Sequence, residues 1–299
     1  MTKVPNQSDF RAPHASFRRQ LDHVFEASLG RAALDEITNT AFPDWASLAS
    51  FIGAQMLDDS IQVLGVSGSQ GSGKSTFANV LVETLETAGA RAATLSLDDF
   101  YLTKAERIDL CESVHPLLRT RGVPGTHDAE WLLDTLLAHR TGRSVTVPRF
   151  NKGQDDRQGK VSLEVDFLVL EGWCLGVQPE SGEALLDPVN QLEQIEDEAG
   201  VWRRWVNDQI ARYSPSWQAV DYWIQLRVPS FAQVYEWREE QERSIPVEER
   251  MSSSELRRFV QHYERLTRHL WSSPPLAPGL LVDLDANHNV SDITLAREG

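Results

Sequence analysis

Cysteine is nearly absent. Among 299 residues only Cys111 and Cys174 occur, so neither a disulfide framework nor a four-cysteine zinc site is available. Positive charge is also scarce: 29 Lys and Arg stand against 44 Asp and Glu, a net charge of −15. That balance argues against a general nucleic-acid or anionic-membrane binder. An anionic substrate would need a local pocket of arginines, because the overall field repels it. No apolar run approaches the length of a membrane span. The N-terminus lacks both a signal-peptide core and an Arg/Ser-rich transit composition, and Asp9 counts against the latter, so a cytoplasmic location is expected. Disorder is excluded in turn, since 41% of residues are hydrophobic and nine are Trp.

What the chain does contain is Gly68-Ser69-Gln70-Gly71-Ser72-Gly73-Lys74-Ser75, followed by Thr76. The run satisfies G-x-x-x-x-G-K-[ST], the phosphate-cradling P-loop, and its flanks suit it. Ile61–Val66 reads as a buried strand. Phe77, Val80, Leu81, Leu85 and Ala88 recur at helical spacing, and Gly89 sits where a helix C-terminal glycine belongs. Strand, glycine loop and helix together aim backbone N–H groups and a helix N-terminus at a polyphosphate. Lys74 can reach the β- and γ-phosphates, and the Ser75 hydroxyl can ligate Mg²⁺. The chain is expected to bind a nucleoside triphosphate.

Strands and helices alternate along the rest, predicting an α/β fold with a mostly parallel sheet covered on both faces. Residues 1–58 read as a helical N-terminal extension with Phe17, Leu21, Val24 and Phe25 on one face, and residues 59–299 as the P-loop domain. Further strands are expected at 92–97, 165–170, 222–226 and, last, 280–284. Helices are expected near 129–139, 231–243 and 254–270, the last two with capping boxes at Ser230/Gln233 and Ser252/Glu255. The stretch 102–126 reads as irregular, and the acidic 177–199 as a solvated insertion with little secondary structure. The arginine-rich segment 227–250 reads as a lid whose Arg238 and Arg243 close over the phosphates.

In open α/β sheets, ligands bind at the C-terminal ends of the strands. Two acidic positions fall there: Asp98-Asp99-Phe100-Tyr101 after the second strand, and Glu171-Gly172 after the apolar run 165–170. A strand-end carboxylate facing a P-loop holds Mg²⁺ or positions the nucleophile. The guanine-reading N-K-x-D is not present, since Asn151-Lys152-Gly153-Gln154 lacks its aspartate. An L-S-G-G-Q signature is absent too, and the apolar strand ends in Glu-Gly rather than the Asp-Glu of mechanical ATPases. A small-molecule kinase is the leading reading, with a catalytically weak ATP-binding regulator as the alternative.

P-loop, then D-x-F-Y, then an apolar strand ending E-G resembles the phosphoribulokinase/uridine kinase/pantothenate kinase group. Within it, Leu97–Leu102, Arg121-Gly122-Val123-Pro124-Gly125-Thr126-His127-Asp128, Pro148–Lys152 and Leu170–Gly176 look closest to the D-glycerate 3-kinases. The resemblance spans about 61–284 and implies ATP and Mg²⁺ as cofactors and a small hydroxylated acceptor, D-glycerate first. It implies Asp98 as the acid that takes or orients the acceptor proton, with Lys74 and Arg238 on the phosphates. Ser75 and Glu171 become the Mg²⁺-linked pair. Asp99, Tyr101, Arg121, His127, Arg149 and Lys152 fall in the acceptor site, where a planar guanidinium suits a carboxylate. Asp128 reads instead as a helix N-cap.

Overall fold

The computed structural model describes residues 45–58, 61–243, 245–247 and 250–296; the helix expected around Phe17–Phe25 lies outside them. In chain order, α1 (Trp45–Asp58) precedes β1 (Val63–Gly68), α2 (Lys74–Thr87) and β2 (Ala92–Ser96). Then come α3 (Lys104–Ser113), α4 (Ala129–Arg140), β3 (Val145–Asn151), β4 (Asp156–Leu163) and β5 (Phe167–Gly172). Helices α5 (Gln191–Glu196), α6 (Val201–Ile210) and α7 (Ser214–Gln218) lead to β6 (Tyr222–Arg227). Finally α8 (Phe231–Arg243) and α9 (Ser253–Ser272) precede β7 (Gly279–Leu284) and β8 (Val290–Ala296).

Six strands form one sheet in the order β2-β5-β1-β6-β7-β8. The first five run parallel, and β8 closes the edge antiparallel to β7. Central strands read as continuous apolar runs because both faces are covered: β1 and the last five residues of β5 are buried throughout. On one face Phe77, Leu81 and Leu85 of α2 meet Leu48, Ile52 and Met56 of α1, with Val234 and Trp237 of α8 nearby. On the other, Leu132 and Leu136 of α4 share a core with Trp173, Tyr213, Trp217 and Trp223. α1 packs directly on the P-loop helix, its Trp45 ring 5.5 Å from Phe77.

The helix signals act as their chemistry dictates. Gly89, at φ +90°, ends α2 with its own N–H on Glu86 and that of Ala90 on Leu85. Ser252 and Glu255 form a complete capping box, whereas Ser230 only accepts from the Gln233 N–H while that glutamine side chain turns to Glu236.

Three expectations need correction. The stretch 102–126 contains α3, started by a Thr103/Glu106 capping box. The segment 177–199 contains α5 and buries Leu185, Leu192, Glu193 and Asp197. Its buried acids face cations: Glu193 takes Arg265 at 2.7 Å, and Asp197 takes Arg203 at 3.1 Å. Glu193 looks solvated in sequence because its partner stands 72 residues away. Lastly, 280–284 is followed by another strand, β8. Between α4 and β5, for which the sequence predicts no element, β3 and β4 form a separate antiparallel hairpin.

Candidate active site

The parallel topology brings the ends of β1, β2 and β5 to one edge, and the sequence-predicted residues gather there. In the P-loop, Gly71 and Gly73 take left-handed backbone at φ +80° and +86°, which keeps the loop curled. Gly73 caps α2 without any side-chain cap, so the first N–H groups of the helix face the loop's concavity. The hydroxyls of Ser69 and Ser72 are buried without a partner, the state expected of groups that await an anionic ligand.

Glu171, 5% exposed, ends β5 beside the P-loop. It accepts the Ser75 hydroxyl at 3.1 Å and the Ser96 hydroxyl of β2. A hydroxyl and a carboxylate side by side form a hard oxygen pair suited to Mg²⁺, with phosphate and water completing the shell. Asp98 lies in the turn after β2 and accepts from Tyr101 Oη and Lys152 Nζ, both at 2.6 Å. Burial pushes its carboxyl up, but the charge and hydrogen bond of Lys152, the Tyr101 hydroxyl and the charge of Lys74 outweigh it and hold the group at about 2. The charge of Lys74 reaches Asp98, so the P-loop lysine and the acid lie near one another.

Loops 97–102 and 121–128 are zipped together: Leu102 N–H donates to Thr126 O, and Asp128 N–H to Phe100 O. His127 stacks on Tyr101 with ring centroids 4.7 Å apart. Tyr213 Oη accepts the Gly125 N–H at 2.9 Å and shares a hydrogen bond with His127 Nδ1 at 3.0 Å. His127 Nε2 is buried and unpartnered. Trp173 and Tyr263 support this loop from behind through Gly122 O and Arg121 O. Asp128 caps α4 by accepting the Trp131 N–H at 3.1 Å.

The remaining cations come from the β3–β4 hairpin and its neighbours. Arg149 is paired with Asp99 at 2.6 Å, and Asp99 also takes the Phe150 N–H, so Asp99 clamps β3 to the turn after β2. Arg121 pairs with Asp155. Arg238 binds Glu242 at 2.7 Å and lies over the Phe259 ring, while Arg243 pairs with Glu239 at 3.0 Å.

His288 is a residue that sequence reading missed. Its Nε2–H donates to Gly71 O at 2.9 Å, and its ring stacks on Trp237, centroids 3.8 Å apart. The β7–β8 turn thus braces the P-loop from outside through α8. The only local signal is the polar Asn287-His288-Asn289, which any turn could carry.

Burial holds His127 and His262 down to about 4. The unfolded chain protonates both near their ordinary 6.5, so across pH 6.5 to 4 it binds more protons than the folded one, and stability falls as pH drops. Each group is expected to contribute roughly 3 kcal/mol to that loss. Thermal melting between pH 7 and 4.5 measures it, and His262→Asn should flatten the fall; an unchanged slope contradicts the assignment.

No protein-family model matches the chain. The uncharacterized kinase mug58 of Schizosaccharomyces pombe is 33% identical over 217 residues, covering 67% of this chain and 78% of that protein. The chloroplastic D-glycerate 3-kinase of Arabidopsis thaliana is 30% identical over 219 residues, 67% of this chain but 46% of that protein. The chain belongs to a family of P-loop kinases that includes mug58 and D-glycerate 3-kinase. The solved D-glycerate 3-kinase from Cryptococcus neoformans shares the fold, with TM-score 0.66, 23% identity, and coverage of 95% of this chain and 100% of that one. The chain is accordingly an ATP-dependent phosphotransferase. Among its described residues no helix is long and apolar enough to cross a membrane.

Proposed function

We propose that this kinase transfers the γ-phosphoryl group of MgATP to the C3 hydroxyl of D-glycerate, giving ADP and 3-phosphoglycerate. The supporting observation is Lys152, whose exposed ammonium sits on Asp98 beside the Arg149–Asp99 and Arg121–Asp155 pairs, in a chain of net charge −15. An acceptor carboxylate could share Lys152 with Asp98, and relatives named D-glycerate 3-kinase agree with an acid acceptor.

In the proposed step the acceptor oxygen attacks the γ-phosphorus, and the new O–P bond forms as the bond to the bridging oxygen of ADP breaks. The hydroxyl proton passes to Asp98. Lys152 keeps that carboxyl ionised in the resting enzyme. When an acceptor carboxylate shares Lys152, the hold on Asp98 weakens and its basicity rises. His127 stacks on Tyr101, whose hydroxyl holds Asp98, and Lys74 stays with the phosphates. Ser75 and Glu171 would hold Mg²⁺, which when bound neutralises charge on the phosphate oxygens. Arg238 follows the Trp237 that meets Gly71 and reaches the phosphates by leaving Glu242.

ADP release with MgATP tests the reading across D-glycerate, L-glycerate, uridine, pantothenate and no acceptor. Release is expected with D-glycerate alone; equal or greater release with uridine or pantothenate rejects the acid-acceptor assignment.

A further inference from the structure

The β3–β4 hairpin forms its own two-stranded sheet, without strand pairing to the main one. Most of β4 is exposed, so side chains must hold the hairpin over the acceptor site. Its strands are held: Arg157 donates to Tyr101 O at 2.8 Å, and Asp99 takes both Arg149 and the Phe150 N–H. The turn carries Lys152, whose side chain is 65% exposed and touches the site only through Asp98. A long, mobile lysine is directed by where its backbone sits.

That backbone is set from one residue. Asp155 is in left-handed conformation at φ +56°, which aspartate tolerates better than most residues, and its contacts fix it there. One partner is Arg107, 2% exposed. Its guanidinium donates to Leu102 O at 3.3 Å, Arg119 O at 3.0 Å and Asp155 O at 2.7 Å, and pairs with Asp155 Oδ2 at 3.0 Å. The other carboxylate oxygen takes Arg121, which also reaches Lys152 O. One carboxylate thus ties the hairpin turn both to a buried cation under the loops and to the acceptor loop.

We propose that Asp155 is a positioning residue for the acceptor site, which holds the hairpin turn so that Lys152 lies over Asp98. The assignment rests on the reading of this site as one for an acid acceptor. Asp155 touches no substrate; it acts through Lys152. The nucleotide side is separate, since none of these contacts involves the P-loop.

The test is a double-mutant cycle on steady-state kinetics with D-glycerate and MgATP. Asp155→Asn keeps a residue at home in left-handed backbone but removes the charge. It is expected to raise the KM for D-glycerate at least tenfold, with kcat within threefold and the KM for ATP unchanged. Lys152→Met should raise the same constant, and the double variant should be no worse than Lys152→Met alone. Should Asp155→Asn fail to fold, Asp155→Glu keeps the counter-charge for Arg107 while displacing the turn, and at least a threefold rise in the same KM is expected. An unchanged D-glycerate KM in a folded variant, an equal rise for ATP, or multiplicative effects in the double variant overturns the proposal. Wild-type protein without D-glycerate-dependent ADP release rejects the functional reading and this one together; wild-type activity with an unaltered variant rejects this one alone.

Discussion

Asp98→Asn is expected to lower kcat by about 10²–10⁴-fold while leaving ATP binding intact. An alcohol is a weak nucleophile until its proton has somewhere to go, and Asp98, in the turn after β2, is the proposed recipient. The amide keeps the size and still accepts from Tyr101, so the local structure should survive. It loses the charge that holds Lys152 at 2.6 Å, so the D-glycerate KM should change too. Single-turnover transfer measured beside equilibrium ATP binding separates the two effects. Near-normal transfer by this variant removes Asp98 from the role of base. Asp99 is then a poor substitute, because its carboxylate is already engaged by Arg149 and the Phe150 N–H.

Lys74→Ala is expected to weaken triphosphate binding and turnover together, with kcat/KM for ATP falling by about 10²–10³-fold. Lys74 opens α2 immediately after Gly73, in a loop whose buried Ser69 and Ser72 hydroxyls lack partners. No neighbouring cation in the loop can replace it, and in a chain of net charge −15 the remaining field opposes the nucleotide. ATP titration by calorimetry, with turnover measured in parallel, gives both numbers. Full activity in Lys74→Ala would undo the P-loop reading.

The central sheet and the phosphate machinery were legible in the sequence because their signals are local. A strand buried on both faces must be continuously apolar, and a P-loop must carry its glycines and lysine in order. The hairpin was hidden for the opposite reason: β4 runs from Asp156 to Leu163 almost wholly exposed and lacks a clean alternation. Helix α3 escaped notice because it buries a charged residue, Arg107, in place of an apolar stripe. The capping pair Thr103 and Glu106 was its one readable sign. Glu193 of 177–199 looked solvated because Arg265, its buried partner, stands 72 residues away. For the candidate site, residue types and order pointed to loops that the fold brings together, 97–102 and 121–128. What each cation touches did not follow from order: Arg121 is committed to Asp155, Arg149 to Asp99, and only Lys152 meets Asp98. His288 could be found only once the fold had brought the β7–β8 turn to Gly71.

The most direct test follows the phosphoryl group itself. Purified protein is incubated with γ-labelled ATP, Mg²⁺ and D-glycerate, and the labelled products are separated. Label recovered in 3-phosphoglycerate, one equivalent for each ADP formed, is the predicted result. Label recovered only as inorganic phosphate, or remaining in ATP while D-glycerate stays unmodified, would contradict the account.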